Sequence, residues 1–208
     1  MAEVIQLTPR RAQQAAPQAL ETTGPTTLYF DLASPYTYLV AERIERRVGA
    51  AVWRPAVLPG PLARGDEVVA DAQQRARTLR MPLVWPERFP SRVPSAMRVA
   101  TYANEQGCGP AFAIAAGRLA FCGGFDVEDP EILAEAAAAA GLDVDAALVA
   151  AREPRRDHQV EMAGRSVGHA GGTLLPAVEH ERRLYCGEPH ITAWLSRAAG
   201  AAARPGAS

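Results

Sequence analysis

The chain has 208 residues, 48% of them hydrophobic and 22% charged, with a formal net charge of −1. That suits one compact domain, or a domain carrying an insert, with apolar material enough for a core. It excludes a wholly disordered chain and gives a nucleic-acid partner no electrostatic footprint.

Residues 1–25 hold Pro, Gln, Thr and Arg without apolar period and read as a flexible extension. Residues 27–32 are short and rich in β-formers, which predicts a buried strand. Ala33-Ser34-Pro35 leads into a helix over 36–48, with Tyr36, Leu39, Val40 and Ile44 on one face and Gly49 as its stop. Residues 51–58 form a second strand candidate, and Pro55 marks it as an edge or an irregularity. A polar helix follows over 67–80. Pro82, Pro86, Pro90 and Pro94 then punctuate an extended loop.

Helices are predicted over 96–106 and 111–122. Asp129-Pro130 opens the next, with Asp as N-cap and Pro at the first helical position, and Gly141 closes it. Helices over 143–151 and 155–167 complete the block. Residues 174–179 and 182–186 read as a hairpin ended by Gly187, and 191–198 as a closing helix. The tail after Gly200 reads as frayed. The order is strand–helix–strand, a helical block, two strands and a helix. An α/β thioredoxin-like domain with a helical insert has that order. Its domain parts are 26–64 with 168–200, the insert 65–167, and flexible ends at 1–25 and 201–208.

Cys108, Cys122 and Cys186 make no Cys-x-x-Cys pair, which disfavours dithiol redox chemistry and zinc fingers. An odd number of thiols suggests a reducing compartment, so the cytoplasm is the expected location. Neither a signal peptide nor a membrane span is apparent. The apolar stretch 132–151 is broken by Glu135, Asp143 and Asp145. No lysine occurs, which removes a Schiff base, a catalytic lysine and a lysine-dependent phosphate loop. His158, His169, His180 and His190 show no metal-ligand spacing, so no metal is expected.

Ser34-Pro35 sits at a strand-to-helix junction. The plain reading is an N-cap Ser before a first-turn Pro. The functional reading uses the same geometry: free N–H groups and a partial positive charge at a helix N-terminus stabilise a thiolate, and the hydroxyl donates to it. No base adjoins Ser34 and Gly-x-Ser-x-Gly is absent, so a serine hydrolase is not indicated. Pro176 reads either as a strand-starting proline or as a cis proline beside a ligand. Tyr36 and Tyr38 flank Thr37, placing one inward and the other near the helix mouth. Trp85 reads as packing or as a lid over an apolar ligand.

Several segments together resemble the 2-hydroxychromene-2-carboxylate isomerase family, in the DsbA-like branch of thioredoxin folds beside kappa-class glutathione transferases. They are Tyr29-Phe30-Asp31-Leu32-Ala33-Ser34-Pro35-Tyr36-Thr37-Tyr38-Leu39, Trp53-Arg54-Pro55, and Pro86-Glu87-Arg88-Phe89-Pro90. Asp126-Val127-Glu128-Asp129-Pro130-Glu131-Ile132-Leu133, Ala140-Gly141-Leu142-Asp143, and Leu175-Pro176-Ala177-Val178 before Gly187 extend the match from about Thr26 to Leu195.

The resemblance implies a glutathione-dependent isomerase or transferase acting on a conjugated aromatic carboxylate. Ser34 would hold the sulfur as thiolate, and Leu175 before cis-Pro176 would pair its backbone with the tripeptide. Tyr36, Arg54, Trp85 and Arg92 are substrate-pocket candidates, either Arg suiting a carboxylate. The partner is a small aromatic substrate, with no nucleic acid and no membrane, and a homodimer is left open. The family's Gly-x-Asp-Arg reads Gly187-Glu188-Pro189-His190 here. Pro189 offers no charge for the ligand's ammonium and Glu188 is one residue away, so weak glutathione binding is expected. The rivals are a relative working without glutathione and a non-catalytic binding or scaffold protein.

Overall fold

The computed structural model describes residues 25–48, 51–61 and 64–202, the last four by their backbone alone. Most of the expected N-terminal extension, Gly49 and the end of the expected tail lie outside these residues.

The first strand, β1 (Thr26–Phe30), has Leu28 and Phe30 on one face and Tyr29 on the other, all buried. A strand covered on both faces needs an unbroken run of β-formers, which these residues supply. It ends before Asp31 and Leu32, two residues short of the expected limit. Helix α1 (Pro35–Val48) buries Leu39, Val40, Ile44 and Val48 and carries Arg46 and Arg47 in its last turn, where the helix dipole favours cations. Strand β2 (Val52–Pro55) pairs parallel to β1, with Phe30 opposite Pro55.

Helices α2 (Gly65–Leu79), α3 (Pro94–Glu105), α4 (Gly109–Phe121), α5 (Pro130–Ala139) and α6 (Val144–Ala151) follow. A 3-10 turn (Pro154–Arg156) then leads into α7 (Asp157–His169). Asp129 caps α5 by accepting from the Glu131 N–H at 2.8 Å, and Asp143 caps α6 from the Ala146 N–H at 2.8 Å. Both caps are local, so the sequence shows them directly.

Strands β3 (Ala177–His180) and β4 (Arg183–Cys186) form a hairpin. Glu181 and Arg182 turn it with φ of 49° and 63°, the two left-handed residues of a type I′ turn. The sheet order is β2-β1-β3-β4, and β3 runs antiparallel to both β1 and β4. β2 is therefore an edge strand, where Pro55 takes no bond away from a neighbour. The architecture is a thioredoxin-like α/β fold of the DsbA type, with α2 to α7 placed between β2 and β3.

Other boundaries differ from expectation too. β2 stops at Pro55 and β3 starts only at Ala177, because a proline gives a ladder no N–H. The closing helix α8 (Gly187–Ala202) begins one turn early. Gly187, at φ 77°, reverses the chain within one residue, and Pro189 lies in the first turn, where a missing N–H costs nothing. α8 also runs past Gly200, where an expected frayed tail began, since Ala201 and Ala202 are strong helix formers.

Alternation along β1 divides the core. Leu28 and Phe30 pack with Ile44, Trp53, Ile191 and Leu195, and the Phe30 and Trp53 rings meet edge-on at 5.8 Å. Tyr29 faces the other way, into a smaller cluster with Ala56, Val167, Leu175 and Ala177. The chain between β1 and α1, the segment before β3 and the start of α8 meet at one end of the sheet.

Candidate active site

That end opens into a cavity of about 590 Å³, with Asp31, Ser34, Tyr36, Leu175, Glu188 and Arg92 among its walls. Ser34 stands immediately before α1. Its N–H donates to the Asp31 carbonyl at 3.1 Å, and its own carbonyl accepts from Thr37 at 3.1 Å. Its hydroxyl donates to the Leu175 carbonyl at 3.4 Å. The contact that holds the Ser34 hydroxyl is thus to the chain before β3, and not the side-chain cap of the plain reading. The Leu175–Pro176 bond is cis, as one reading of Pro176 expected, and so is Phe89–Pro90, which nothing in the sequence marked. The Gly187 N–H bonds the Pro176 carbonyl at 2.8 Å, tying the mouth of α8 to the same turn.

Asp31 was missed as a site residue. Its Oδ1 accepts from the Ala33 N–H at 2.8 Å. Among the described residues, no group bonds its Oδ2. Burial pushes the carboxyl up to about 6, against the pull of the Ala33 N–H and of the Arg92 guanidinium. A signal existed: an acidic residue at the carboxyl end of a central strand, three positions before Ser34, sits where open α/β sheets place ligands.

A polar cluster closes one side. Glu188 is only 5% exposed, and both its oxygens are taken. Arg43 from α1 binds Oε1 at 2.8 Å, Arg75 from α2 binds Oε2 at 3.1 Å, and the Thr192 hydroxyl donates to Oε1. Burial alone would raise its pKa, but Thr192 and the two guanidinium groups outweigh it and hold Glu188 below the usual carboxylate range. Arg75 also grips Asp71 with two bonds, at 2.6 and 2.9 Å, and this depresses Asp71. Tyr36 donates to Asp71 at 2.7 Å. Burial and then the Asp71 carboxylate keep the Tyr36 phenol protonated well above its usual range. Neither Arg43, Arg75 nor Asp71 was expected here, since their partners come from three separate helices.

The expected site residues divide. Ser34, Tyr36, Arg92, Leu175 and Glu188 line the cavity. Arg92 reaches it from the loop before α3, its guanidinium bonded to the Gly60 carbonyl at 2.6 Å. Arg54 does not line it. It is exposed on the edge strand β2, opposite Tyr29. Trp85 does not line it either; its ring packs on Phe89 at 4.6 Å and edge-on to Phe121, so it backs the Phe89 wall instead of covering the opening. Cys186 lines the cavity as a free thiol, and Cys108 and Cys122 are free as well. Among the described residues no helix is long and apolar enough to cross a membrane.

In the fold comparison, the chain matches a solved 2-hydroxychromene-2-carboxylate isomerase with a TM-score of 0.69 at 18% identity, over 86% of this chain and 96% of that one. It matches a probable DsbA oxidoreductase from Streptomyces coelicolor with a TM-score of 0.66 at 20% identity, over 89% and 93%. It also matches the cytosolic disulfide reductase DsbM from Pseudomonas aeruginosa, solved with GSH, with a TM-score of 0.60 at 18% identity, over 86% and 100%. No curated protein matches by sequence. The fold is therefore one shared by thiol-disulfide oxidoreductases and an isomerase, carried here without a Cys-x-x-Cys pair. The DSBA-like thioredoxin domain matches residues 27–170, well over half of the chain, and the protein belongs to that family.

Proposed function

We propose that the protein is a glutathione-dependent isomerase or transferase acting on a small conjugated aromatic carboxylate of the 2-hydroxychromene-2-carboxylate type. The observation that carries this is the Ser34 hydroxyl, set at the N-terminus of α1 and held, among the described residues, by one long bond to Leu175 across the mouth of the cavity. A hydroxyl so lightly held can turn its proton to a thiolate, and the positive end of the α1 dipole adds to the field there. The sulfur end of glutathione fits these residues, and the Leu175 backbone at the cis proline fits an extended peptide. Bound there, the thiol would supply a nucleophile able to add to, and leave, a conjugated double bond. Arg92 suits the substrate carboxylate, and Phe89 offers an apolar wall to the ring. The reducing cytoplasm is the compartment this reading favours.

The amino end of glutathione fits less well. Glu188 is already neutralised by Arg43 and Arg75, and Pro189 presents neither charge nor N–H. This supports the second reading, a relative that uses the cavity without glutathione. Calorimetric titration with glutathione decides between them. Weak binding is expected for the natural protein, and Pro189→Asp should tighten it about 10- to 100-fold by restoring one charged hydrogen bond. No binding by either form would remove glutathione from the function.

A further inference from the structure

We propose that Asp31 is the proton-transferring residue of this cavity, carrying the proton between the two oxygens of a cyclic hemiketal substrate as its ring opens. This rests on the substrate class proposed above. Three features of its setting support the assignment. Asp31 lines the same cavity as Ser34, at the carboxyl end of the central strand. Its Oδ1 is fixed by the Ala33 N–H at 2.8 Å, so the carboxyl plane is set in advance. Its Oδ2 bonds no described residue and remains for a substrate.

In a 2-hydroxychromene-2-carboxylate, one carbon bears both a hydroxyl and the ring oxygen. Opening breaks the bond between that carbon and the ring oxygen, which leaves with the electron pair. The hydroxyl O–H pair becomes the second bond of the new carbonyl, and its proton departs. The ring oxygen must gain one proton to become a phenol. The balance closes with a single carrier and no co-reactant: Oδ2 accepts the hydroxyl proton and returns it to the phenolic oxygen. A carboxyl pushed up to about 6 is a better acceptor than an ordinary aspartate and still gives the proton back near neutral pH. Among the charged neighbours, Arg92 faces Asp31 from the loop before α3 and suits the substrate's own carboxylate. Asp71, Arg75 and Glu188 also line the cavity but are bound to one another or to Arg43. Glu67 and Arg64 form an exposed pair at the start of α2, with Glu67 at the cavity rim. His190 lines the cavity and shares a 2.8 Å hydrogen bond with the Cys186 carbonyl.

The test compares the natural protein with Asp31→Asn, Asp31→Glu and His190→Gln. Turnover of 2-hydroxychromene-2-carboxylate in the presence of glutathione is measured from pH 5 to 8, with glutathione affinity followed by calorimetry. Asn keeps the oxygen that accepts from Ala33 but cannot carry a proton. Turnover of Asp31→Asn should fall about 100-fold and lose its acid limb, with glutathione affinity unchanged. Asp31→Glu should recover part of the rate. His190→Gln should keep the limb, which separates the two groups. A carbon-13 titration of the Asp31 carboxyl should give a midpoint near 6 that matches the kinetic limb. Full turnover and an intact limb in Asp31→Asn would overturn the assignment and leave the proposed function standing. No turnover by the natural protein would overturn that function, and the assignment with it.

Discussion

The Ser34 hydroxyl and the Leu175 carbonyl lie 3.4 Å apart, although 141 residues separate them in the chain. At that length the bond is near the outer limit for two oxygens, and its loss costs the fold little. Ser34→Ala should therefore melt within a degree or two of the natural protein. If the hydroxyl stabilises a thiolate, turnover should fall about 10- to 100-fold, the equivalent of one charge-assisted hydrogen bond of roughly 1.5–3 kcal/mol. Full activity in the alanine variant would take Ser34 out of the mechanism.

Glu188 ties α1, α2 and α8 together through one buried carboxylate. Glu188→Gln keeps the shape and strands two guanidinium groups. Breaking a buried pair costs roughly 3–5 kcal/mol, but Arg43 and Arg75 are partly open to water, so about 2 kcal/mol is expected. For a chain of this size that is a drop in Tm of roughly 4–8 °C. The depressed folded pKa means the carboxylate stabilises the fold above its ordinary value of 4.5, and that contribution is lost as pH falls through the folded pKa. Thermal melts should show the variant's deficit in full at pH 7 and shrinking toward pH 3.

Asp31 has the opposite sign. Its folded pKa of about 6 lies above the ordinary 3.8, so between those values the folded chain binds more protons than the unfolded one. Stability falls as pH rises through that window and stays lower above it. Asp31→Asn should stabilise the protein at pH 7 by about 1–2 kcal/mol, since the partly buried carboxylate keeps some contact with water, and by nothing below pH 4. Denaturant titrations at both pH values check this. A variant less stable than the natural protein at pH 7 would show that the ionised carboxylate is structural.

Two glycines of α7 should respond in opposite directions. A Cβ at Gly164 would lie 1.9 Å from the Val57 carbonyl oxygen, part of the backbone that follows β2. The Val57 N–H also bonds the Val160 carbonyl, so α7 and this segment are pinned together. Gly164→Ala should cost about 3 kcal/mol by forcing them apart. A Cβ at Gly168 meets nothing within 4 Å, and Gly168→Ala should stabilise by about 0.5–1 kcal/mol through helix propensity. Equal effects from the two substitutions, measured by urea unfolding, would contradict this packing.

The sequence by itself determined what is settled within a few residues. Asp129-Pro130 and Asp143 start helices because a cap needs only the next turn of its own chain. Ser34-Pro35 marks a strand-to-helix junction for the same reason, and Pro55, which cannot donate, marks an edge or an irregularity, of which the sheet order shows the edge. The order of elements and the quoted motifs then pointed to the DsbA-like fold. What only the tertiary structure decided is how side chains from distant segments share space and charge. Arg43 and Glu188 are 145 residues apart, and Arg75 and Glu188 are 113 apart, so no local pattern shows that this carboxylate is already neutralised. Trp85 and Arg54 fit a pocket by residue type, but one is held against Phe89 and Phe121 and the other stands on the outer edge of the sheet. Asp31 is marked in the sequence by its place at the end of a strand just before Ser34, but its protonation is decided only when folding encloses it. The desolvation that raises its carboxyl comes from walls supplied by segments far away in the chain, and a charge responds to its surroundings in space.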